Sequence, residues 1–236
     1  MNQSFSNPDI LKVNDVLNAS WGDYRSNFPV FISISLIYGL LQMLAMAVLN
    51  HLNFYSLKNA LAVSLFISSW ASVLMIEACK VISQGKQVGL RGILKAVSSV
   101  YFTYLAVTVS LFALMFLGFL AFIVPGFYLA TVFMFADIMV VAERAKLTES
   151  FEKSFWLVKG LFANVFLFFL TGIFISLLPL VLGKLAALKF PDMERTVSTI
   201  IAVLVMPYFI IFKFNVYSRL RNLKPYDELP EEEGRL

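Results

Sequence analysis

The sequence predicts an all-α polytopic membrane protein with six transmembrane helices, arranged as three hairpins that each follow a short cytoplasmic amphipathic helix. Its composition is the first reason: of 236 residues, 59% are hydrophobic and only 14% are charged. An ordinary soluble domain is about 45–50% apolar and about 25% charged. One soluble core of this size cannot bury the excess, so lipid must cover part of the surface. The second reason is that charged residues are separated by long uncharged runs.

These uncharged runs locate the crossings. Residues 101–136 contain no charged side chain, and this run is too long for a single crossing of about 20 residues. Pro125-Gly126 lies inside it and predicts a turn between two helices. The predicted crossings fall within residues 26–57, 59–76, 103–124, 127–143, 160–183 and 196–212, the last extended past Lys213.

The distribution of Lys and Arg gives the orientation. With six crossings, both termini and the even-numbered connections lie on one side, and 15 of the 19 basic residues fall there. Lys58, Lys184, Lys189 and Arg195 fall on the other side. Since basic loops stay in the cytoplasm, we expect a multi-pass protein of the bacterial inner membrane with cytoplasmic N- and C-termini. We expect residues 1–221 to form a single membrane domain and residues 222–236 to form a short, acidic, flexible tail.

Three cytoplasmic segments lead directly into crossings and have apolar residues at helical spacing. These residues are Ile10, Val13, Leu17 and Trp21 in the first segment, Leu90, Ile93, Leu94 and Val97 in the second, and Phe151, Phe155, Val158 and Phe162 in the third. Asn7 and Thr148 are the expected N-caps of the first and third. Each segment is predicted to be a helix lying in the membrane plane.

The first and third segments also match in register. Phe28 follows Ser20 by eight residues, and Phe162 follows Ser154 at the same distance. One interpretation is a threefold repeat of surface helix plus hairpin, as in membrane proteins that bind or move a ligand between repeats. The alternative is that any helix at a membrane surface shows this pattern.

Few residues are available for catalysis. The only cysteine, Cys79, cannot form an internal disulfide or a cysteine cluster. The only histidine, His51, excludes paired-histidine and zinc-protease chemistry, and its place in a loop excludes a triad at membrane depth. The net charge of +4 is spread between apolar runs and does not form a nucleic-acid-binding patch. We therefore expect no enzymatic activity, cofactor or metal, and no nucleic-acid partner.

Three ionisable residues lie inside crossings, in one layer near the cytoplasmic leaflet: Asp137, Lys213 and Glu77. A charge in hydrocarbon costs about 2.5–3.5 kcal/mol on insertion scales, so each needs a partner. We expect Asp137 to pair with Lys213, and Glu77 with Lys80, three residues further on. This layer is the candidate site for an ion, lipid or substrate; the alternative is that its charges only fix helix packing.

Three stretches of sequence resemble a known family. They are Ile123–Leu129, Val140–Glu143 and Glu149–Gly160, and the last has Glu149 and Lys153 spaced for an ion pair on one helix. Together they resemble the YciC-type family, also called the membrane-domain family of glycerophosphodiester phosphodiesterases, whose members are bacterial six-helix inner-membrane proteins. The resemblance is to the membrane domain and implies no phosphodiesterase activity.

These observations favour a non-enzymatic inner-membrane protein that organises the envelope, or an accessory subunit. Its expected partners are membrane lipids and either another protein or a second copy of the chain. The alternative is a small transporter or lipid-handling protein that uses the ionisable layer. An intramembrane enzyme is the least favoured class, because the sequence has no recognisable nucleophile–base pair or metal-ligand set.

Overall fold

The computed structural model describes residues 12–86, 90–190 and 194–224, and every regular element in these ranges is an α-helix. The helices are α1 (Val13–Ser26), α2 (Phe28–His51), α3 (Leu57–Ser83), α4 (Leu90–Ala121), α5 (Ile123–Val132), α6 (Ala136–Ala142), α7 (Leu147–Val158), α8 (Phe162–Ala187) and α9 (Glu194–Leu223).

In the described ranges, six stretches are long and apolar enough to cross a membrane: α2, α3, α4, α5 together with α6, α8, and α9. This confirms the predicted fold class, an all-α protein with six membrane-spanning helices. Contacts run round the bundle in chain order, from α2 through α3, α4, α5 and α8 to α9, which closes the ring against α2. The two helices of each predicted hairpin are therefore neighbours in contact.

Helix α6 lies at the centre and packs on α3, α4 and α7. Its residues Ala136, Ile138, Met139, Val140 and Val141 are completely buried. The chain leaves helical geometry at 133–135, so the fourth crossing consists of two helices. The single helix predicted for 127–143 is therefore wrong. Neither proline nor glycine occurs at this break, so the sequence carries no ordinary signal for it.

The turn between the third and fourth crossings is at Phe122, whose backbone is extended, and not at Pro125-Gly126 as predicted. Pro125 instead lies in the first turn of α5, where a missing backbone N–H has no cost. Gly126 allows α5 to approach α4: a Cβ on Gly118 would lie 2.9 Å from Gly126 Cα, and a Cβ on Gly126 would overlap the Phe119 ring.

Two of the three predicted lead-in segments are separate helices. Helix α1 is followed by a break at Asn27, and α7 by a break at 159–161. The second segment is not separate, because α4 runs without interruption from Leu90 to Ala121. Thr148 is not the N-cap of α7, which begins at Leu147. The N-cap predicted at Asn7 and the apolar Ile10 lie outside the described residues.

The register match between the first and third segments has a structural counterpart. Ser20 in α1 and Ser154 in α7 are both completely buried. Phe28 and Phe162 are the first residues of α2 and α8, the crossings that follow. Corresponding positions thus have corresponding environments in these two segments, whereas the continuous α4 departs from the pattern.

The bundle has two unlike halves. We call the half that contains α1, α6, α7 and the adjoining ends of α3, α4 and α9 the charged half, because the ion pairs described below lie there. The apolar half contains the opposite ends of the crossings, with the connections that follow α2, α4 and α8. It exposes large apolar side chains, among them Leu44, Phe54, Leu120, Phe122 and Leu188.

Candidate functional site

Asp137 and Lys213 form an ion pair between α6 and α9. Lys213 Nζ lies 2.6 Å from Asp137 Oδ2 and 2.7 Å from Oδ1, and both side chains are about 15% exposed. Asp137 Oδ1 also accepts a hydrogen bond of 2.8 Å from the Ile138 backbone N–H. The predicted pairing is confirmed. Both charges are compensated within the protein, which offsets much of the cost of their burial.

Glu77 has a different partner from the one expected. Its two carboxylate oxygens lie 3.3 Å from Arg144 Nη2, so the predicted pairing with Lys80 is wrong. The Lys80 ammonium instead donates to the Val141 carbonyl at 3.5 Å. Glu77 is 7% exposed, and the guanidinium that reaches it comes from the connection between α6 and α7.

Arg144 holds several elements together at this point. Besides Glu77, its Nη1 donates to the Ala96 carbonyl at 3.0 Å and to Ser99 Oγ at 3.3 Å, both on α4. Arg144 has a positive φ of 60°, which L-residues seldom adopt. Four hydrogen bonds from one guanidinium hold this left-handed backbone in place. The structure therefore joins Asp137 to Lys213 and places Glu77 in a separate cluster that joins α3, α4 and the α6–α7 connection.

A third cluster centres on Glu143, which sequence reasoning treated only as the end of a crossing. Its Oε1 accepts from the Tyr217 hydroxyl at 2.5 Å and from Arg221 Nε at 3.3 Å, and its Oε2 lies 3.2 Å from Lys153 Nζ. Lys153 is also 2.6 Å from Glu149, as the i,i+4 spacing predicted. These contacts connect α6, α7 and α9.

The sequence did contain a signal for this cluster. Lys213, Tyr217 and Arg221 recur at every fourth position and therefore lie on one face of α9. Asp137 and Glu143 are the acidic residues that this face meets. The spacing of polar residues along the last crossing thus identifies the surface of α9 that faces α6.

The opposite polar face of α9 contacts α1. Asn215 Nδ2 donates to Asp23 Oδ2 at 2.8 Å and to Ser20 Oγ at 3.1 Å, and Arg219 Nη2 donates to the Asp15 carbonyl at 3.2 Å. The Tyr24 hydroxyl donates to the Leu204 carbonyl at 3.1 Å, in the turn before the helix-interior Pro207. Helix α1 is thus bound along α9 by hydrogen bonds as well as by apolar packing.

Ser154 bridges the break in the fourth crossing. Its hydroxyl donates to the Val132 carbonyl at 2.8 Å and accepts from the Phe135 backbone N–H at 3.3 Å. Val132 ends α5, and Phe135 directly precedes α6. One buried side chain of α7 therefore satisfies two backbone groups that the break would leave without partners. This gives a structural role to the serine of the family-like segment.

The pKa values in α7 follow from its ion pairs. Hydrogen bonds from the Lys153 side chain and the Lys146 backbone N–H lower the pKa of Glu149. Burial alone would lower the pKa of Lys153, but its hydrogen bonds to Glu149 and Glu143 outweigh burial and raise it. Both groups are therefore held in their charged forms near neutral pH.

An apolar cavity of about 190 Å³ reaches Lys213 from between α4, α5, α8 and α9. Its aromatic walls include Phe133, Phe168, Phe169, Phe209 and Phe212. The lysine is its one basic lining residue in the described part of the chain, and Asp137 neutralises that charge. The cavity therefore suits an apolar group better than a hydrated ion.

Within the described ranges, no three His, Cys, Asp or Glu side chains are close enough to hold a metal ion. No family model, curated protein or solved structure matches the chain. The resemblance to the YciC-type family therefore stays a prediction from the residues that carry it.

Proposed function

We propose that this chain is a non-enzymatic integral protein of the bacterial inner membrane that serves as an accessory or organising component by binding lipid or a protein partner. In this proposal the charged half faces the cytoplasm. The excess of Lys and Arg on that side supports the orientation, and the likeness of residues 123–160 to the YciC-type family supports the class.

The observation that carries the proposal is that each ionisable residue of the candidate layer is paired with an opposite charge within the protein. Asp137 is paired with Lys213, Glu77 with Arg144, and Glu143 with both Lys153 and Arg221. Charges inside a membrane protein usually pair with one another, and a pair that satisfies both of its members requires no ligand. Here each carboxylate contributes to packing between helices, which favours a structural role for the layer.

The lipid-facing surface supports binding as the function. In the membrane-spanning part of α2 only 6% of the residues are buried, against 50% for the crossing made of α5 and α6. A crossing with so few buried residues contributes little to a static core. Its exposed face is available to lipid or to another transmembrane helix.

The second candidate function is a small transporter or lipid-handling protein that uses the Asp137–Lys213 pair. The apolar cavity of about 190 Å³ that ends at Lys213 favours it. In that mechanism the head group of an amphiphile displaces one member of the pair while its apolar part occupies the cavity.

The two candidates are separated by reconstituting wild type, Asp137→Asn, Lys213→Met and the double variant in vesicles. Transbilayer movement of a fluorescent anionic phospholipid is followed by quenching from outside the vesicles, and proton flux with a trapped dye, while incorporation and folding are checked in parallel. We expect neither process to be faster with the wild type or the folded double variant than in empty vesicles. Lipid movement or flux with the wild type that the folded double variant lacks would replace the proposal with the transporter.

The orientation is tested separately with reporter fusions to each terminus. We expect a reporter that is active only in the cytoplasm to function at both ends, and one that is active only outside it to fail at both. Opposite results at the two ends would contradict an even number of crossings.

A further inference from the structure

Three basic residues lie near the charged end of the α3–α4 seam, by which we mean the strip of surface where these two neighbouring helices touch. Lys80 belongs to α3, Lys95 belongs to α4, and Arg144 extends from the α6–α7 connection. Arg144 Nη2 binds Glu77 of α3, and its Nη1 donates to Ser99 Oγ of α4. The guanidinium therefore bridges the seam, and its side chain is still 37% exposed.

The two lysines flank this guanidinium. Lys80 lies three residues after Glu77 and so on the same face of α3. Its ammonium donates to the Val141 carbonyl at 3.5 Å, just before the connection that carries the guanidinium. Lys95 lies four residues before Ser99, on the same face of α4, and is exposed. One ammonium group therefore borders the guanidinium on each side of the seam.

This cluster carries more positive than negative charge. In the described part of the chain Glu77 is its one carboxylate, and Arg144 is already paired with it. Neither Lys80 nor Lys95 forms an ion pair with a described residue, and a bond to a carbonyl does not neutralise an ammonium group. The ion pairs around α6 and α7, by contrast, match acid with base. An excess of two positive charges at one place favours an anion as ligand.

Deeper along the seam the surface becomes aromatic. The Tyr101 ring centroid is 6.0 Å from that of Phe66 in α3 and 5.6 Å from that of Phe102 in α4. The Tyr101 hydroxyl donates to the Phe66 carbonyl at 3.0 Å and so joins the two helices. Phe66 is 51% exposed and Phe102 is 75% exposed. Phe102 also lies two turns after Lys95 on one face of α4. The seam thus combines a cationic end with an exposed apolar strip, which matches an anionic amphiphile.

The length of α4 determines the depth of both parts. This helix has 32 residues and is about 48 Å long, about 18 Å longer than the hydrocarbon layer is thick. Leu120 and Phe122 at its far end are more than 70% exposed, so lipid chains cover that end and the excess length lies at the charged end. Lys95 is about 8 Å and Phe102 about 18 Å from the start of α4 at Leu90. The lysine is therefore level with phospholipid head groups, and the ring is level with acyl chains.

We propose that the α3–α4 seam binds an anionic phospholipid of the cytoplasmic leaflet, whose phosphate is bound by the ammonium groups of Lys80 and Lys95. Its acyl chains lie over Phe66 and Phe102. The guanidinium keeps its carboxylate partner and adds to the positive potential. A zwitterionic lipid is disfavoured, because it brings a cation of its own to a cluster that already has an excess of them. The inference deepens the lipid-binding part of the proposed function and rests on it, and on the proposed orientation.

The experiment measures lipid binding to the full chain in detergent micelles that contain equal amounts of dioleoylphosphatidylglycerol and dioleoylphosphatidylcholine. Native mass spectrometry counts the bound lipids of each kind. Lys80→Gln, Lys95→Gln and the double variant remove positive charge from the seam. Lys159→Gln is the matched control, because it makes the same change at an exposed lysine of the charged half, in the α7–α8 connection. Thermal unfolding verifies the fold of each variant.

We expect wild type and Lys159→Gln to bind phosphatidylglycerol at least about fivefold more tightly than phosphatidylcholine. Each seam lysine should contribute about fivefold, the usual effect of one basic residue beside anionic lipid. The folded double variant should therefore bind phosphatidylglycerol at least about tenfold more weakly than wild type, with its binding of phosphatidylcholine unchanged. An excess of soluble glycerol phosphate, which has the phosphate without the chains, should displace little lipid.

Equal binding of phosphatidylglycerol by wild type and the folded double variant would overturn the proposal. If Lys80→Gln does not fold, Lys95→Gln alone decides, because Lys95 is exposed, and equality with wild type would again overturn it. A loss in Lys159→Gln as large as in Lys95→Gln would also overturn it, since the lipid would then respond to net charge alone. Effective displacement by glycerol phosphate would contradict it too, and would assign the seam to a soluble ligand.

This test is independent of the one that separates the two candidate functions. Lipid movement and proton flux are compared there between variants of the Asp137–Lys213 pair, whereas binding is compared here between variants of the seam. A seam that binds no phospholipid would leave a non-conducting chain with a protein partner as the proposed function. Failure of this inference is therefore distinct from failure of the proposed function.

Discussion

In the charged half of the bundle α6 is enclosed by other helices, and its acidic residues Asp137 and Glu143 each form an ion pair with a basic residue of α9. In the apolar half α2 meets little protein and exposes Leu40, Met43 and Leu44 by more than 60% each. The same membrane surrounds both halves, but different contacts hold them together. Near the charged end, hydrogen bonds and ion pairs join α1, α3, α4, α6, α7 and α9, whereas at the other end apolar packing leaves a large groove between α2 and α9.

The difference has a physical reason. Apolar side chains gain little by moving from lipid to protein, because both surroundings are apolar. Polar groups in hydrocarbon lose a great deal when unpaired, so a few of them specify which helix faces cluster together. The charged half should therefore account for most of the specificity of the fold, and the apolar half should tolerate substitution except at its closest contacts.

Outside the Asp137–Lys213 pair, removal of Glu143 should cause the largest loss of stability. Glu143→Ala removes the common partner of Lys153, Arg221 and Tyr217, and we expect it to lower the free energy of unfolding by about 3 kcal/mol. Unfolding by SDS in mixed micelles measures the loss. Glu152→Ala on the exposed face of α7 is the control and should change stability by less than about 0.5 kcal/mol. Equal effects of the two would show that the Glu143 contacts contribute nothing.

The next largest loss of stability is expected when the Ser154 bridge across the break in the fourth crossing is removed. Ser154→Ala leaves the Val132 carbonyl and the Phe135 N–H without a partner, and we expect a loss of about 2 kcal/mol. The same SDS titration measures it. Ser98→Ala is the control, because the Ser98 hydroxyl is exposed and bonds only to its own helix. A loss for Ser154→Ala no greater than for this control would mean that α5 and α6 are held without the bridge.

A smaller effect is expected at a close helix contact of the apolar half that depends on glycine, between α4 and α5. Gly126→Ala introduces a Cβ into the Phe119 ring, and we expect a loss of about 1–2 kcal/mol from overpacking. Gly92→Ala should be neutral or stabilising by up to about 1 kcal/mol, because a Cβ there meets no atom within 4 Å. Thermal unfolding of both in micelles compares them. If Gly126→Ala does not lower stability, this contact is packed as loosely as the rest of the apolar half.

The smallest predicted effect is the pH dependence of the stability that Glu149 contributes. The pKa of Glu149 is lower in the folded state than its ordinary value of 4.5, so its contribution is complete above that value and is lost as the pH falls through the folded pKa. Because the side chain is 43% exposed, we expect less than about 1 kcal/mol. Glu149→Gln should be less stable than wild type at pH 7, with a difference that shrinks below about pH 4.5. A difference independent of pH would assign the effect to something other than ionisation.

The sequence was sufficient for the parts of the fold that depend on transfer into hydrocarbon. Charge-free runs located the six crossings, and the cost of an isolated charge at depth predicted the pairing of Asp137 with Lys213. The i,i+4 spacing predicted the Glu149–Lys153 pair in the same direct way, since both residues belong to one helix.

The sequence was insufficient where the structure depends on a contact between two elements that are distant in sequence. The break at 133–135 is bridged by Ser154 of another helix, and no residue within the break is of a helix-breaking type. Glu77 pairs with Arg144, 67 residues away, because the connection after α6 turns back toward α3, and this path could not be predicted from local spacing. Pro125-Gly126 was predicted to be a turn, but in the structure its glycine allows close packing against Phe119.

The central claim is that charge pairing, and not exchange of charge with a ligand, is the role of the layer beside α6. A double-mutant cycle on Asp137→Asn and Lys213→Met tests it most directly, with unfolding free energies measured by SDS titration in mixed micelles. We predict a loss of about 3–5 kcal/mol for each single variant, because each leaves an uncompensated charge, and a clearly smaller loss for the double variant than for either. Losses that simply add would contradict the account, because the two charges would then not stabilise each other in the folded protein.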